Sequence, residues 1–541
     1  MRSLIYAAAS CFCVYALAAE QVPEQAPLSF TELQDAGAII GEVRIINNNI
    51  FNLDDPNEDN FLFRLANKLH IVTRPEVIRR LLLFNSGEPL SVQKIEESER
   101  LLRNNRYLYD VDIRPAAYHD GLVDIDVETR DTWTIQPGLQ YSRSGGANST
   151  ALSLKENNLL GTGTSIGYAK TSDVDRNGNA FTLSHNNLFG SWTSIDLTLA
   201  KYDDGKHQSI DFGRPFYALD TRWATGVAAL HDERIESVYV NGDIVGQYRH
   251  IKDAGEVFGG WSNGLVNGWT RRYSVGLNYL DDQYPPDPTL TAPPTIPQDQ
   301  TLVSPFVRYE IIEDNFEKVK NRDKIQRAEF FAIGFNATIQ VGRSLTSLGS
   351  TRDLWLYSAT ATRGMHLERG TDLLAAVNLS GQYGDGHGER ETLGGSVRYF
   401  VPHFKRAVFY AAASGDTIRN PEVQDFLLLG GENGLRGYPL RYQSGEHRAL
   451  FTVEERVYTD WYPVRLFRVG GAVFFDVGRA WAGPTQNPVN PGWLSDVGFG
   501  LRILNDRAAF GNVLHVDVAF PLNADPSIKS VQFLVKSYLN F

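Results

Sequence analysis

Cysteine is almost absent: the 541 residues hold two, Cys11 and Cys13, both within the first 19 positions. Beyond them the chain has no thiol for a disulfide, a thiolate metal site or a covalent nucleophile. The eleven histidines are scattered, with no pair at the spacing of a zinc protease, so neither metal nor cofactor is expected. A basic excess is missing too, and the net charge of −12 argues against nucleic acid as the principal partner. Past the N-terminus, no apolar run approaches the roughly 20 residues a spanning helix needs.

At the N-terminus, Arg2 precedes an apolar stretch that carries no charge until Glu20 and holds small residues at Ala16 and Ala18. This pattern predicts a cleaved secretory signal peptide over 1–19 rather than a membrane anchor. Aromatics and glycine are abundant, with 24 Tyr, 29 Phe and 48 Gly. Together with the lack of an apolar helix, this composition suits a transmembrane barrel, whose strands turn apolar side chains to lipid and polar ones to the lumen.

Residues 20–40 read as a linker, and 41–130 as one small α+β unit of order β-α-α-β-β. Val43 and Ile45 alternate in a first strand. A helix is expected over 76–84 and a second one after Ser91, whose hydroxyl suits an N-cap. Val111 with Ile113, and Val123 with Ile125 and Val127, mark two closing strands. Between the first strand and first helix lies a long insert, 52–73, with an acidic patch and a candidate helix near 61–69.

From Thr132 to Phe541 the pattern is β throughout, with segments of about ten residues alternating apolar and polar. In one, Ile195, Leu197 and Leu199 point outward and Asp196 and Thr198 inward. In another, Leu514, Val516, Val518 and Phe520 point outward and His515 and Asp517 inward. The 410 residues of 132–541 supply roughly 16 strands of an antiparallel transmembrane barrel. The motif NNLLGTGTSI at 157–166 returns as NNLFGSWTSI at 186–195, which suggests hairpins sharing turn chemistry. The Pro-rich stretch 284–297 is expected as a long loop.

The run GEPLSVQKIEESERLLRNNRYLYDVDI, ending at Ile113, resembles the second half of a POTRA domain, the periplasmic module found before barrels of the BamA and TamA type. The stretch GGENGLRGYPLRY at 430–442 resembles the loop motif of that POTRA-barrel superfamily, here Leu435-Arg436-Gly437-Tyr438. In the family this loop folds back into the lumen, and its arginine meets acidic residues on following strands. FFDVGRAW at 474–481 resembles the family's strand motif, with Phe474, Asp476 and Gly478. Alternation turns Asp476 inward there and Glu454 inward upstream, so the resemblance makes these two carboxylates the expected partners of Arg436. The same alternation aims Glu455 at lipid, an unusual place for a carboxylate. At the C-terminus, Phe533, Val535, Leu539 and Phe541 resemble the signal by which bacterial barrels are recognised for insertion.

The resemblance implies a single-POTRA protein in the outer membrane with its N-terminal domain in the periplasm. Its partners would be the lipid bilayer and unfolded polypeptide clients, with periplasmic chaperones or accessory lipoproteins as further candidates. The implied function is assembly or insertion of outer-membrane proteins, with secretion of a dedicated exoprotein as the alternative. A passive porin, a reading outside the resemblance, would explain the alternation and terminal Phe541 but not the POTRA-like domain or the Arg436 and Asp476 motifs. Gly163-Thr164-Ser165-Ile166-Gly167 fits the hydrolase Gly-x-Ser-x-Gly pattern. That motif needs a strand, a sharp turn and a helix, whereas here it sits in an alternating strand, so no enzymatic role is expected.

Overall fold

The computed structural model describes residues 29–538, apart from 145, 174, 241, 423–424, 483–491, 509–512, 524 and 527. The expected signal peptide, Leu539 and Phe541 lie outside the described residues.

The N-terminal domain begins inside the stretch expected as linker. Helix α1 (Phe30–Asp35) is fixed by a capping box between Ser29 and Glu32, and it delivers Leu33 to the domain core. There follow β1 (Ile39–Asn48), α2 (Phe61–Leu69), α3 (Pro75–Arg79), α4 (Val92–Arg103), β2 (Leu108–His119) and β3 (Leu122–Asp131). β3 is central, parallel to β1 and antiparallel to β2. Its Val123, Ile125 and Val127 are fully buried against Ile78, Ile95 and Leu102 from the helices. Helix α3 ends at Arg79 and does not reach Phe84, because the hydroxyl of Ser98 on α4 takes the Leu83 amide at 2.9 Å. Leu82 and Phe84 nevertheless stay in the core.

Among the described residues that follow, 20 strands close into one barrel, rather than about 16. The excess strands come from tight connections. Asn267-Gly268 and Asp385-Gly386 are two-residue turns with both φ values positive, the geometry that joins twisted hairpin strands with least chain. The first barrel strand, β4, is Ile135–Ser144, and the last is Gln532–Tyr538. Alternation holds along the walls: Val473 and Phe475 are exposed outward, whereas Phe474 and Asp476 are buried inward. Glu455 does face outward, and His403 Nε2 meets it at 2.9 Å near the rim on the side of the N-terminal domain. The Pro-rich stretch is the connection between strands Trp269–Gln283 and Gln300–Glu313.

The repeated Asn-Asn motif forms two successive turns on that rim. Leu160 and Phe189 occupy equivalent left-handed positions, at φ 53° and 54°. Both turns hold the N-terminal domain. Asn158 donates to Thr73 Oγ1 at 2.7 Å, and Asn187 donates to the Arg80 carbonyl at 2.9 Å. Trp192, in the second turn, packs on the domain core and stacks on Tyr217 at 4.1 Å. On the neighbouring side, Glu97 of α4 accepts the Leu219 amide at 2.7 Å, and burial raises its carboxyl above the usual range. Arg100 pairs with Asp314 at 3.4 Å.

The domain-side connection between strands Gln300–Glu313 and Asn336–Arg343 carries a hairpin of its own, Phe316–Lys320 with Ala328–Ala332. Its tip, 321–327, turns into the barrel mouth. Ile325 is 1% exposed and packs on Phe400, Val408, Tyr458 and Leu504 from four barrel strands. Arg322 reaches Asp372 at 2.6 Å, and Arg327 donates to the carbonyls of Leu108 and Tyr109 in β2. The tip therefore joins domain and barrel wall across the opening.

Candidate functional site

The far-side loop between strands Ala407–Arg419 and His447–Tyr458 folds inward and is held along its length. Gly431 donates to the Pro439 carbonyl at 3.0 Å and Leu435 to the Gly430 carbonyl at 3.1 Å, so the motif is presented by a compact knot. Leu435 and Tyr438 are fully buried with Leu429 and Leu494.

Arg436, 4% exposed, sits at the centre. Its Nε and Nη2 donate to the two oxygens of Asp476 at 2.6 and 2.8 Å, and Nη1 donates to Glu454 at 2.7 Å. Asp517 lies 3.5 Å from Nη1, and the guanidinium stacks on the Phe474 ring at 3.4 Å. A bidentate fork and a flat aromatic face suit guanidinium and no other cation. The carboxylates are braced in turn: Thr452 donates to Asp476 at 2.8 Å, Arg456 to Glu454 at 2.7 Å, and Arg502 pairs with Asp517. Glu454 and Asp476 are the two carboxylates that the family resemblance implied as partners. Space at Gly478 is tight: a Cβ there would lie 3.0 Å from the Ala449 carbonyl oxygen and 3.2 Å from Leu429 and Leu450.

Several participants were not anticipated. Asp496 pairs in register with Asp476 and accepts the Gly437 amide at 3.0 Å. A Cβ on Gly437 would stand 2.7 Å from the Asp496 Cβ, which explains the glycine. The signal was present as a second Asp-Val-Gly at 496–498, echoing 476–478. Tyr438 donates to the Ser495 carbonyl at 3.0 Å, so three consecutive loop residues grip adjacent strands. Outside the membrane span, Arg441 binds Asp175 at 2.7 Å and Glu432 at 3.0 Å, and holds the Asp175 carboxyl below its ordinary range.

The loop also touches the last strand, where Lys536 donates to the Glu432 carbonyl at 2.7 Å. That strand closes the barrel against β4. Among the described residues this junction has one paired position, Val535 with Arg143, while every other neighbouring pair has at least seven. Phe533 is 56% exposed on the outer wall. Ser165 opens strand Ser165–Ser172, in register with Ser184.

Residues 68–130 match the POTRA family, described as a surface antigen variable number repeat, and a closed barrel follows them. The chain thus joins a POTRA-type domain to a closed barrel. Over 107 residues, 18% of its length, this POTRA-barrel protein is 38% identical to a putative outer membrane protein assembly factor of Treponema pallidum (strain Nichols). The matched part is 13% of that relative. Among solved structures it is similar to BamA from Haemophilus ducreyi lacking POTRA domains 1–3, with 13% identity, a TM-score of 0.40, and coverage of 92% of this chain and 84% of that one. CdiB from Acinetobacter baumannii gives 12% identity, a TM-score of 0.45, and coverage of 93% and 74%. The POTRA-barrel protein resides in the outer membrane, with the POTRA domain and its rim of the barrel in the periplasm.

Proposed function

We propose that this POTRA-barrel protein inserts or assembles outer-membrane polypeptides, using the junction between β4 and the last strand as an opening seam. The sparse pairing of that junction among the described residues carries the reading. A sheet edge with unpaired backbone groups is a template for an added strand, and a client strand satisfies its own amides by adding there. In this reading no bond is made or broken.

Capture begins at the POTRA sheet. The outer edge of β1 is shielded where Ile40 and Ala38 bond to the segment 87–90. The start of β2 is taken by Arg327, while its second half, from Pro115 onward, is largely exposed and borders β3 on one side only. That half-strand offers an extended client its first backbone partners. The lumen, filled from outside by the Arg436 loop and from the periplasm by the 321–327 tip, argues against a passive pore.

The test is a quantitative comparison of outer-membrane and secreted proteins with and without the gene. Loss of one or several barrel proteins from the membrane fraction is the expected result. Disappearance of one large exoprotein from the medium, with membrane barrels intact, would replace assembly by secretion of a dedicated partner.

A further inference from the structure

The insert between β1 and α3 exposes an apolar face that a water-bathed periplasmic domain has no reason to carry. Helix α2 is capped by Asn60, whose side chain accepts the Phe63 amide. Its inner face is fully engaged: Phe63 stacks on Phe51 at 3.8 Å, and Asn67 exchanges hydrogen bonds with the Phe51 backbone at 2.8 and 3.1 Å. The outer face is left with Phe61 at 76%, Leu62 at 68% and Leu69 at 59% exposure, joined by Leu65. The spacing of these four, i, i+1, i+4 and i+8, places them on one side of the helix. Lys68, exposed in the last turn, flanks that side.

The position of the insert is as telling as its composition. It packs on Leu466, in the turn before strand Phe467–Trp481, and on Trp133, just ahead of β4. Arg507, in the turn after strand Leu494–Asn505, donates to the Ile50 carbonyl at 3.2 Å and pairs with Glu58. At its far end Thr73 accepts from Asn158, after strand Ala147–Glu156. In barrel order these contacts straddle the last strand and β4, so the insert runs across the periplasmic foot of the seam.

We propose that α2 and the residues after it dip into the periplasmic leaflet of the outer membrane at the foot of the seam, with phospholipid as the occupant of the exposed face. Continuity with the barrel's lipid-facing wall selects this occupant. Leu69 and Ile71 border the same shallow depression as Ile135, the first residue of β4, and Leu160, in the next periplasmic turn. Ile135, Leu154 and Leu160 are themselves 42%, 59% and 55% exposed where the wall meets the rim. The apolar surface thus passes from wall to helix at one level. A helix lying in the interface with its apolar side toward the acyl chains and a lysine at its edge is the usual form of such contact. The helix would hold the leaflet's boundary against the junction between the last strand and β4. This inference rests on the membrane location and not on any client.

The experiment uses the full chain with Cys11 and Cys13 replaced by Ser, refolded into phosphatidylethanolamine–phosphatidylglycerol vesicles. An environment-sensitive fluorophore is attached at Leu62→Cys and, as reference, at His119→Cys at the exposed end of β2. Heat-modifiable gel migration verifies that each variant is folded, and Leu65→Cys takes the place of Leu62→Cys if that variant fails. The expected result is a blue-shifted emission at position 62, lost when doxyl-labelled phospholipid is present and protected from an aqueous quencher, with the reverse at 119. Emission at 62 that responds to the aqueous quencher as 119 does would overturn the proposal. So would emission shielded from both quenchers, which would mean that protein, from a client segment or a second copy, covers the face.

Discussion

Arg436 concentrates three carboxylates, Asp476, Glu454 and Asp517, around one guanidinium that is almost fully removed from solvent. Removing one partner of such a buried cluster leaves uncompensated charge, at a cost of about 3–5 kcal/mol. Arg436→Ala is therefore expected to lower the temperature at which the folded barrel changes its gel migration, and Arg436→Lys to restore it only in part, because lysine lacks the fork that holds both oxygens of Asp476. Equal heat stability of the wild type and Arg436→Ala would remove the loop from the account. A second residue-scale prediction concerns Glu329 in the periplasmic hairpin. Burial, and then the neighbouring Asp323, push its carboxyl up to about 7 from 4.5, and one oxygen accepts three amides of the tip, from Arg322, Asp323 and Lys324. The folded state holds a proton that the unfolded state has released, so this contribution is complete in acid and is lost as pH rises toward 7. Protection of the 321–327 amides, corrected for intrinsic exchange, should fall between about pH 4.5 and pH 7 and be constant above, and Glu329→Gln should flatten that dependence. Alternation turns Glu454 and Asp476 inward, because a period of two fixes the face of each strand residue, while Arg436 is legible only through the resemblance of 435–438 to the family's loop motif. It does not reveal Arg502 or Lys536, since which inward residues meet across the lumen depends on the stagger of the closed sheet.

Elements that depend on local chemistry follow the sequence closely. Ser91 caps α4 by accepting the Lys94 amide, and the alternation of β3 appears as a burial pattern that repeats every second residue. Elements that depend on a distant partner do not: α3 stops short because Ser98 of another helix takes an amide that would have continued it. The Asn-Asn repeat was legible as shared turn chemistry, and its use as a pair of docking sites for the POTRA domain emerges only with Thr73 and Arg80 in place. Replacing Asn158 and Asn187 together with Ala should loosen the domain, read as faster protease cleavage near residue 132 in folded protein; unchanged cleavage would assign the docking to Glu97 and Arg100 instead. The hairpin tip 321–327 had no precedent in the pattern of wall strands, being a charged connection closed by a single buried isoleucine, Ile325. Substituting the tip by a short Gly-Ser linker is expected to raise single-channel conductance in planar bilayers, and an unaltered conductance would place the constriction wholly at the Arg436 loop.

At the scale of the molecule, one junction in the closed wall is sparsely paired among the described residues, and three features converge on it. The lumen loop reaches the last strand through Lys536, the insert 49–73 crosses its periplasmic foot, and the POTRA domain is braced against the neighbouring turns. A barrel seals its backbone groups by closing, so a junction with little pairing is the place where opening costs least. The count of strands exceeded expectation because the turns are tighter than composition reveals, yet the order of parts, with the POTRA domain before the wall and the arginine loop before its acidic strands, was readable from the chain. The most direct measurement locks the seam. Val535→Cys with Arg143→Cys, at the one paired position, is oxidised in cells and the outer-membrane proteome is quantified against the reduced state and each single variant. The locked protein is expected to remain folded in the membrane while client barrels are depleted, and a reductant is expected to restore them. Full assembly by a demonstrably cross-linked protein would contradict an opening seam.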